Sequence, residues 1–355
     1  MKSPMKLIPN LLILCLFLSP WSGATAQDNG VMAHMPEPLT NNAVASLVIA
    51  GQPYLYSFSG LGPGKTFADI SSAAYDYNLA TKSWRRLPDV PGGKNRLASI
   101  AVGLGSRIYI FGGYTVSSDG GEISTPEVYT YDPANNEYEF LAPIPVAVDD
   151  TVAIPFADHL IYLISGWHDD GNVDLVQIYD VTTNSWSIGT PFPGMPVFGH
   201  AGGIIENCMV IADGVGVLGE KNGRRIFGII NDVWKGCIDP DDPTKITWVS
   251  LGKHPGAGRY RMAAVGAKNQ VIFAGGSDNP YNFNGIGYNG EPSEPSDEVF
   301  AFEFEAGIFR ELGTKPLATM DHRGLLKIGD RYITLGGMTR GQVVSDLVIA
   351  FTILN

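Results

Sequence analysis

Cysteine is scarce, at three in 355 residues, too few to staple a disulfide scaffold, so the fold has to rest on a buried apolar core. Positive charge is short as well. The 24 Lys and Arg against 36 Asp and Glu leave a net charge of -12, which repels phosphate backbones and anionic lipid surfaces and argues against nucleic acid as a partner. Past the N-terminus no run of about 20 apolar residues occurs, so no membrane span is expected. Charged residues make up only 17% and hydrophobic ones 45%, the balance of a globular rather than a disordered chain. An acidic surface still leaves room for a local basic pocket that holds a small anion.

The first residues read as an address. Lys2 and Lys6 precede the apolar stretch Leu11 to Leu18, and Ala24-Thr25-Ala26 supplies small residues for cleavage, the three parts of a secretory signal peptide. The expectation is a leader over 1–26, a single domain over 27–355, and a periplasmic or secreted product. Bulky Leu14 before Cys15 is a poor lipoprotein context. Export would leave Cys208 and Cys237 in an oxidising compartment, where a disulfide and two buried thiols both remain open.

What the chain has in quantity is glycine, 43 residues, placed periodically. An apolar run closing on a small pair recurs at Ser59-Gly60, Gly112-Gly113, Ser165-Gly166, Asp213-Gly214, Gly275-Gly276 and Gly336-Gly337, and the last glycines are 53, 53, 48, 62 and 61 residues apart. After each pair comes a strand ending in Tyr-Asp or a similar pair, then an aromatic residue and a proline: Tyr75-Asp76 with Trp84, Tyr131-Asp132 with Tyr138, Tyr179-Asp180 with Trp186, and more loosely Asp239 with Trp248 and Phe302-Glu303 with Phe309. Alternating apolar residues between turn residues argue for strands, with room for four per unit. A unit of this size buries both faces only against its neighbours, which predicts an all-β, six-bladed propeller. The sixth unit runs out of chain before its outer strand, so residues 31–38 are expected to supply that strand and close the ring.

The small pair and the spaced aromatics resemble the kelch repeat over nearly the whole chain after the leader. Strand alternation puts two kinds of connection on one rim, the loop after each small pair and the link into the next blade. Function is expected there. The longest such loops are 215–231 and 277–297, the first carrying Glu220, Lys221, Arg224 and Arg225, the second Asn282, Tyr288 and other polar and aromatic residues suited to sugars. Such loops are either functional or mobile. The links present Arg96, Asp149, Asp150, His200, Arg261, Asp321, His322 and Arg323 near the axis, as ligand contacts or as ion pairs between blades.

A six-unit exported propeller with these loops resembles the bacterial N-acetylneuraminate epimerase, or sialic acid mutarotase, family, most closely where Val271 to Gly276 is followed by Tyr281 and Tyr288-Asn289-Gly290. In that family a glutamate after the fourth small pair is the proposed general base, with an arginine a few residues on. By position these are Glu220, six residues beyond Gly214, and Arg225. The resemblance implies a cofactor-independent isomerase that opens and recloses an acidic sugar ring. Glu220 would act as base and His322 as proton donor, Arg225 or Arg261 would hold the carboxylate, and Arg96, Asp150, His200, Asp321, Arg323, Asn282 and Tyr288 would make further contacts. Two rivals are a propeller that binds glycan or a partner protein without turnover, and a copper radical oxidase, which needs nitrogen and oxygen ligands that only His200 and His322 begin to supply.

Overall fold

The computed structural model describes residues 32–92, 96–169 and 171–353, so the proposed leader lies outside it. Six antiparallel sheets follow one another. Blade one is Ala43–Ile49, Gln52–Leu61, Ile70–Asn78 and Ser83–Leu87; blade two is Ile100–Leu104, Arg107–Phe111, Val128–Asp132 and Glu137–Leu141. Blade three is Val152–Phe156, Leu160–Ile164, Val176–Asp180 and Ser185–Ile188; blade four is Ala201–Ile205, Cys208–Ala212, Val233–Ile238 and Ile246–Gly252. Blade five is Ala263–Ala267, Gln270–Ala274, Glu298–Glu303 and Ile308–Thr314. Among the described residues blade six has three strands, Leu326–Ile328, Arg331–Leu335 and Val348–Thr352, and there is no α-helix.

Among the described residues the expected closing strand is not formed. The N-terminal segment instead follows blade six as an irregular strap: Met35 N donates to Asp346 O at 2.8 Å and Leu39 N to Ser345 O at 3.1 Å. Met32, Met35 and Leu39 are buried with Leu55, Tyr77 and Leu335 in a cluster shared by blades six and one. With Gly337 N to Leu39 O at 2.9 Å, three backbone hydrogen bonds and three apolar anchors join this segment to blade six without a full ladder.

Each small pair is a backbone requirement. Both residues have positive φ in every blade, for example 54° and 126° at Ser59-Gly60 and 61° and 101° at Asp213-Gly214. The first position is left-handed, which serine and aspartate tolerate. The second admits no side chain: a Cβ on Gly113 would lie 2.5 Å from Leu97 O, and one on Gly337 would lie 2.6 Å from Met320 O. Those carbonyls belong to the inter-blade links, which bridge to the residue after each pair at Thr40↔Leu61, Leu97↔Tyr114, Asp149↔Trp167, Phe198↔Val215, Tyr260↔Ser277 and Met320↔Met338. Link and loop therefore meet on one rim in all six blades.

The aromatic marker is a cross-strand pair between third and fourth strands. Tyr131 faces Tyr138, Tyr179 faces Trp186 and Phe302 faces Phe309, with ring centroids 5.0, 4.9 and 5.3 Å apart. In blade one the register differs from the sequence reading, since Trp84 lies opposite Tyr77 at 5.0 Å and Tyr75 opposite Arg86. In blade four Trp248 lies opposite Gly236, whose missing side chain makes room for the indole. Cys208 and Cys237, directly opposed on neighbouring strands of this blade, form a disulfide, which decides between the two states the sequence left open.

Candidate functional site

The residue after each link bridge occupies the same place around the axis. These six, Asn41, Ala98, Asp150, Gly199, Arg261 and Asp321, all have φ between 47° and 69°. The turn sends each link inward and lets it bond to its predecessor: Asp150 N to Ala98 O at 3.2 Å, Gly199 N to Asp150 O at 2.8 Å, Arg261 N to Gly199 O at 2.7 Å, and His322 N to Arg261 O at 3.2 Å. Four side chains on this ring and its neighbours neutralise one another. Arg261 bridges Asp150 at 2.5 Å and Asp321 at 2.9 Å, and Arg323 bridges Asp150 at 2.8 Å and approaches Asp321 at 3.5 Å. Arg323 also donates to Asn41 Oδ1 at 2.7 Å, and Thr40 Oγ1 to Asp321 at 2.6 Å. All four charged side chains are buried. Burial alone would raise the Asp150 carboxyl, but Arg261 and Arg323 hold it below its ordinary value. Burial likewise opposes charge on Arg261, yet Asp150 and Asp321 keep it ionised.

Above this cluster, on the loop rim, lies a cavity of about 220 Å3 built by blades two to five. Asp150 and Arg261 form its floor. Its wall is aromatic: Trp167 and Phe198 have centroids 5.3 Å apart, Trp167 and Phe227 5.7 Å, and Phe227 stacks on Tyr288 at 4.3 Å. The Arg225 guanidinium lies 5.1 Å from the Trp167 ring centre. Two more carboxyls line the cavity, Asp149 and Glu122. Asp149 is buried in the cavity wall, accepts a hydrogen bond from Ser124 Oγ at 2.7 Å, and is pushed well above the ordinary carboxyl range by burial and by the charge on Asp150. Glu122 touches solvent at the mouth, but the surrounding protein raises its pKa, with Arg261 opposing and Asp150 assisting. The site thus sets two carboxyls that resist ionisation against fixed cations between ring faces.

Of the residues singled out in the sequence, Asp149, Asp150, Arg225, Arg261, Asn282 and Tyr288 line this cavity. Asp321 and Arg323 sit beneath it in the ion cluster. Glu220 stands exposed near the tip of a hairpin, Val215–Lys221 paired with Arg224–Ile229, which replaces the loop expected after the fourth pair. It lies directly opposite Arg225 across that hairpin, so both side chains share a face, but it is not part of the cavity lining. His200 and His322 lie on the other side of the cluster, where with Asp150 and Arg323 they line a second cavity of about 210 Å3 along the innermost strands. Burial holds the His200 pKa down to about 4, and its Nε2 bonds to Ile164 O at 2.8 Å. His322 is lowered well below its usual value by burial and by Lys315 and Arg323, so it is a neutral ring bonded to Thr319 Oγ1 at 2.7 Å. Arg96 is bonded to Tyr129 Oη at 2.7 Å and paired with Glu127 at 3.3 Å, outside the axial cluster.

Glu122, Tyr114 and Trp167 were missed by the sequence reading. Tyr114 and Trp167 directly follow small pairs, the position that each link bridges, and aromatics at that repeat position were the available signal. Among the described residues no three His, Cys, Asp or Glu side chains converge as a metal site would require, and no helix is long and apolar enough to cross a membrane.

Ring, rim and period together define a kelch-repeat six-bladed propeller with a ligand-sized cavity at its loop rim. No family model matches the chain. It is 24% identical over 313 residues to the kelch-like protein terF of Aspergillus terreus, covering 84% of this chain and 61% of that one. It is 24% identical over 291 residues to the N-acetylneuraminate epimerase of Salmonella arizonae, covering 72% and 69%. A putative F-box/kelch-repeat protein of Arabidopsis thaliana is 29% identical over 195 residues, 53% of this chain and 49% of its own length. The chain thus spans less than two thirds of the length of two of these three relatives. The solved structure of YjhT superposes with a TM-score of 0.72 over 91% of this chain and 97% of that one at 16% identity, a likeness of fold alone. The chain is a kelch propeller that resembles the N-acetylneuraminate epimerases among others.

Proposed function

We propose that the loop-rim cavity binds an acidic reducing sugar, a sialic acid being one example, and exchanges its anomers by acid-base ring opening, in an exported protein. The observation that carries this reading is the pairing of two carboxyls of raised pKa, Glu122 and Asp149, with Arg225 and Arg261 inside an aromatic-walled cavity. The similarity to an N-acetylneuraminate epimerase over 72% of the chain supports the substrate class.

Ring faces pack on Trp167, Phe227 and Tyr288, and a guanidinium holds a carboxylate through paired hydrogen bonds. Glu122, at the mouth, accepts the proton of the anomeric hydroxyl as Asp149 donates one to the ring oxygen. The bond from anomeric carbon to ring oxygen breaks, the carbonyl forms, and after rotation the same transfers run backwards to close the other anomer. No electrons leave the sugar, and the two carboxyls exchange protonation states. Positioned acid-base groups of this kind contribute roughly 100- to 10,000-fold.

Exchange between anomer signals of N-acetylneuraminic acid and galacturonic acid, followed by proton NMR, tests the reading. Glu122→Gln and Asp149→Asn should each remove most of the acceleration, whereas Glu220→Gln should cost little. Loss of exchange with Glu220→Gln alone would return the base to the residue that the family resemblance implies. Binding without turnover is the second reading, favoured by the exposure of Glu220 outside the cavity; sugar-dependent shifts with no added exchange at high protein concentration would establish it.

A further inference from the structure

Arg225, Phe227 and Tyr288 line the cavity on one side and, on the other, a larger groove of about 890 Å3. The groove runs between the strand Arg224–Ile229 of the hairpin that follows the fourth small pair and residues Asp278, Asn279, Pro280, Tyr288 and Asn289 of the loop after the fifth. These three side chains are a wall common to both spaces, so the groove adjoins the cavity. The cavity lies below the roughly 300–1,000 Å3 usual for drug-sized ligands, while the groove falls near the top of that range. One ring fills the first, and several units would be needed to fill the second.

Its walls are pre-formed. The hairpin turns at Asn222-Gly223 with φ of 54° and 73°, the left-handed pair that a two-residue turn matched to strand twist needs. The blade-five wall is tied to itself by Ser293 Oγ to Asn279 O at 2.8 Å, Gly287 N to Glu291 O at 2.7 Å and Tyr288 N to Pro280 O at 3.1 Å. Lys221, Arg224 and Arg225 line the groove, three cations within five residues of a chain that has 24 in 355. Only Asp278 among the other lining residues is acidic. Beside Ile226, Gly228 and Ile229, the lining has Asn222, Asn279, Asn289, Pro280 and the Phe227 and Tyr288 rings, which supply amides for hydroxyls and flat surfaces for sugar faces.

We infer that the groove is a set of further subsites for an acidic oligosaccharide whose reducing unit occupies the cavity and whose following units run between the hairpin and the blade-five loop. The inference rests on the sugar reading of the cavity and extends it from a free monosaccharide to a chain. Pre-formed walls limit the ordering cost of binding, and cations on an acidic protein select the ligand by charge.

The test measures dissociation constants by calorimetry for galacturonic acid and its α1,4-linked dimer and trimer, with cellotriose as the neutral trimer, at 50 and 500 mM salt. The dimer and trimer should bind at least ten-fold tighter than the monomer, the gain should shrink at high salt, and Lys221→Ala/Arg224→Ala should erase it while leaving monomer binding unchanged. Equal affinity across the acidic series overturns the groove and spares the cavity. An equal gain for cellotriose overturns the acidic class. Tight trimer binding without monomer binding or anomer exchange upholds the groove and overturns the cavity reading, and no binding by any member overturns both.

Discussion

Replacing Arg261 by methionine tests how the axis is held. Arg261 links carboxylates from blades three and six at 2.5 and 2.9 Å, and its side chain and both partners are buried. With two arginines and two aspartates the cluster is neutral, so the substitution leaves two buried carboxylates facing Arg323 alone. Breaking a buried pair from one side costs about 3–5 kcal/mol, because the partner is left uncompensated. At about 2–4 °C per kcal/mol for domains of 150–250 residues, and toward the low end for a longer chain, the melting temperature should fall by about 6–12 °C. Adding Asp321→Asn restores neutrality, keeps an acceptor for Thr40 Oγ1 and retains the Asp150–Arg323 contact at 2.8 Å, so the double variant should regain most of the loss. The pH dependence has a definite sign. Arg261 and Arg323 hold Asp150 below its ordinary value, so its contribution is present above the unfolded carboxyl pKa and fades as pH falls through the lower folded one. The gap between wild type and Arg261→Met should therefore narrow on acidification. Thermal melts, and urea denaturation followed by tryptophan fluorescence at pH 7.5 and at about pH 3, below the ordinary carboxyl value, measure these quantities. A single variant within about 1 kcal/mol of wild type, or a double variant less stable than the single, would refute the reasoning.

Three further outcomes follow from other parts of the molecule. Burial brings the Lys315 pKa down to about 7, and its ammonium donates to Thr319 Oγ1 at 2.6 Å; since the unfolded chain keeps that proton up to the ordinary lysine value, stability should rise with pH above about 7, and Lys315→Met should flatten this slope in denaturation midpoints at pH 6, 7.5 and 9. Opening the Cys208–Cys237 disulfide, which spans 29 residues, should cost about 3–4 kcal/mol by the chain-entropy estimate, read from the urea midpoint of the double serine variant. If anomer exchange occurs, its rate should be bell-shaped in pH, rising as Glu122 ionises and falling as Asp149 does, both above ordinary carboxyl values, Asp149 by burial and Glu122 by desolvation from the protein around the mouth; Asp149→Asn should abolish the alkaline limb.

The fold was legible because each blade solves the same local problem with the same residues. The link carbonyl beside Gly113 or Gly337 leaves no space for a Cβ, so the second glycine recurs even where the first has become Ser59, Ser165 or Asp213, and the period survives the loss of the doublet. The aromatic marker was legible for the same reason, since Tyr179 against Trp186 is a contact between neighbouring strands. What escaped was set by contacts between blades. Asp150 and Asp321 are 171 positions apart in the chain yet meet through two arginines, and no local pattern records that these four charges cancel. The N-terminal strap escaped because its anchors are three apolar side chains and three backbone hydrogen bonds in a stretch without the alternation by which strands are read. The proton-transfer candidates divided in the same way. His322 was a reasonable choice of proton donor from a pKa near neutrality, but burial keeps it neutral, with the contact candidate His200, on the far side of the ion cluster. Asp149 and Glu122 owe their raised pKa values chiefly to burial of the first and desolvation of the second by segments distant in the chain. A residue's proton affinity here belongs to the assembled ring, so the chemistry of this rim could be read only after the blades were placed around their axis.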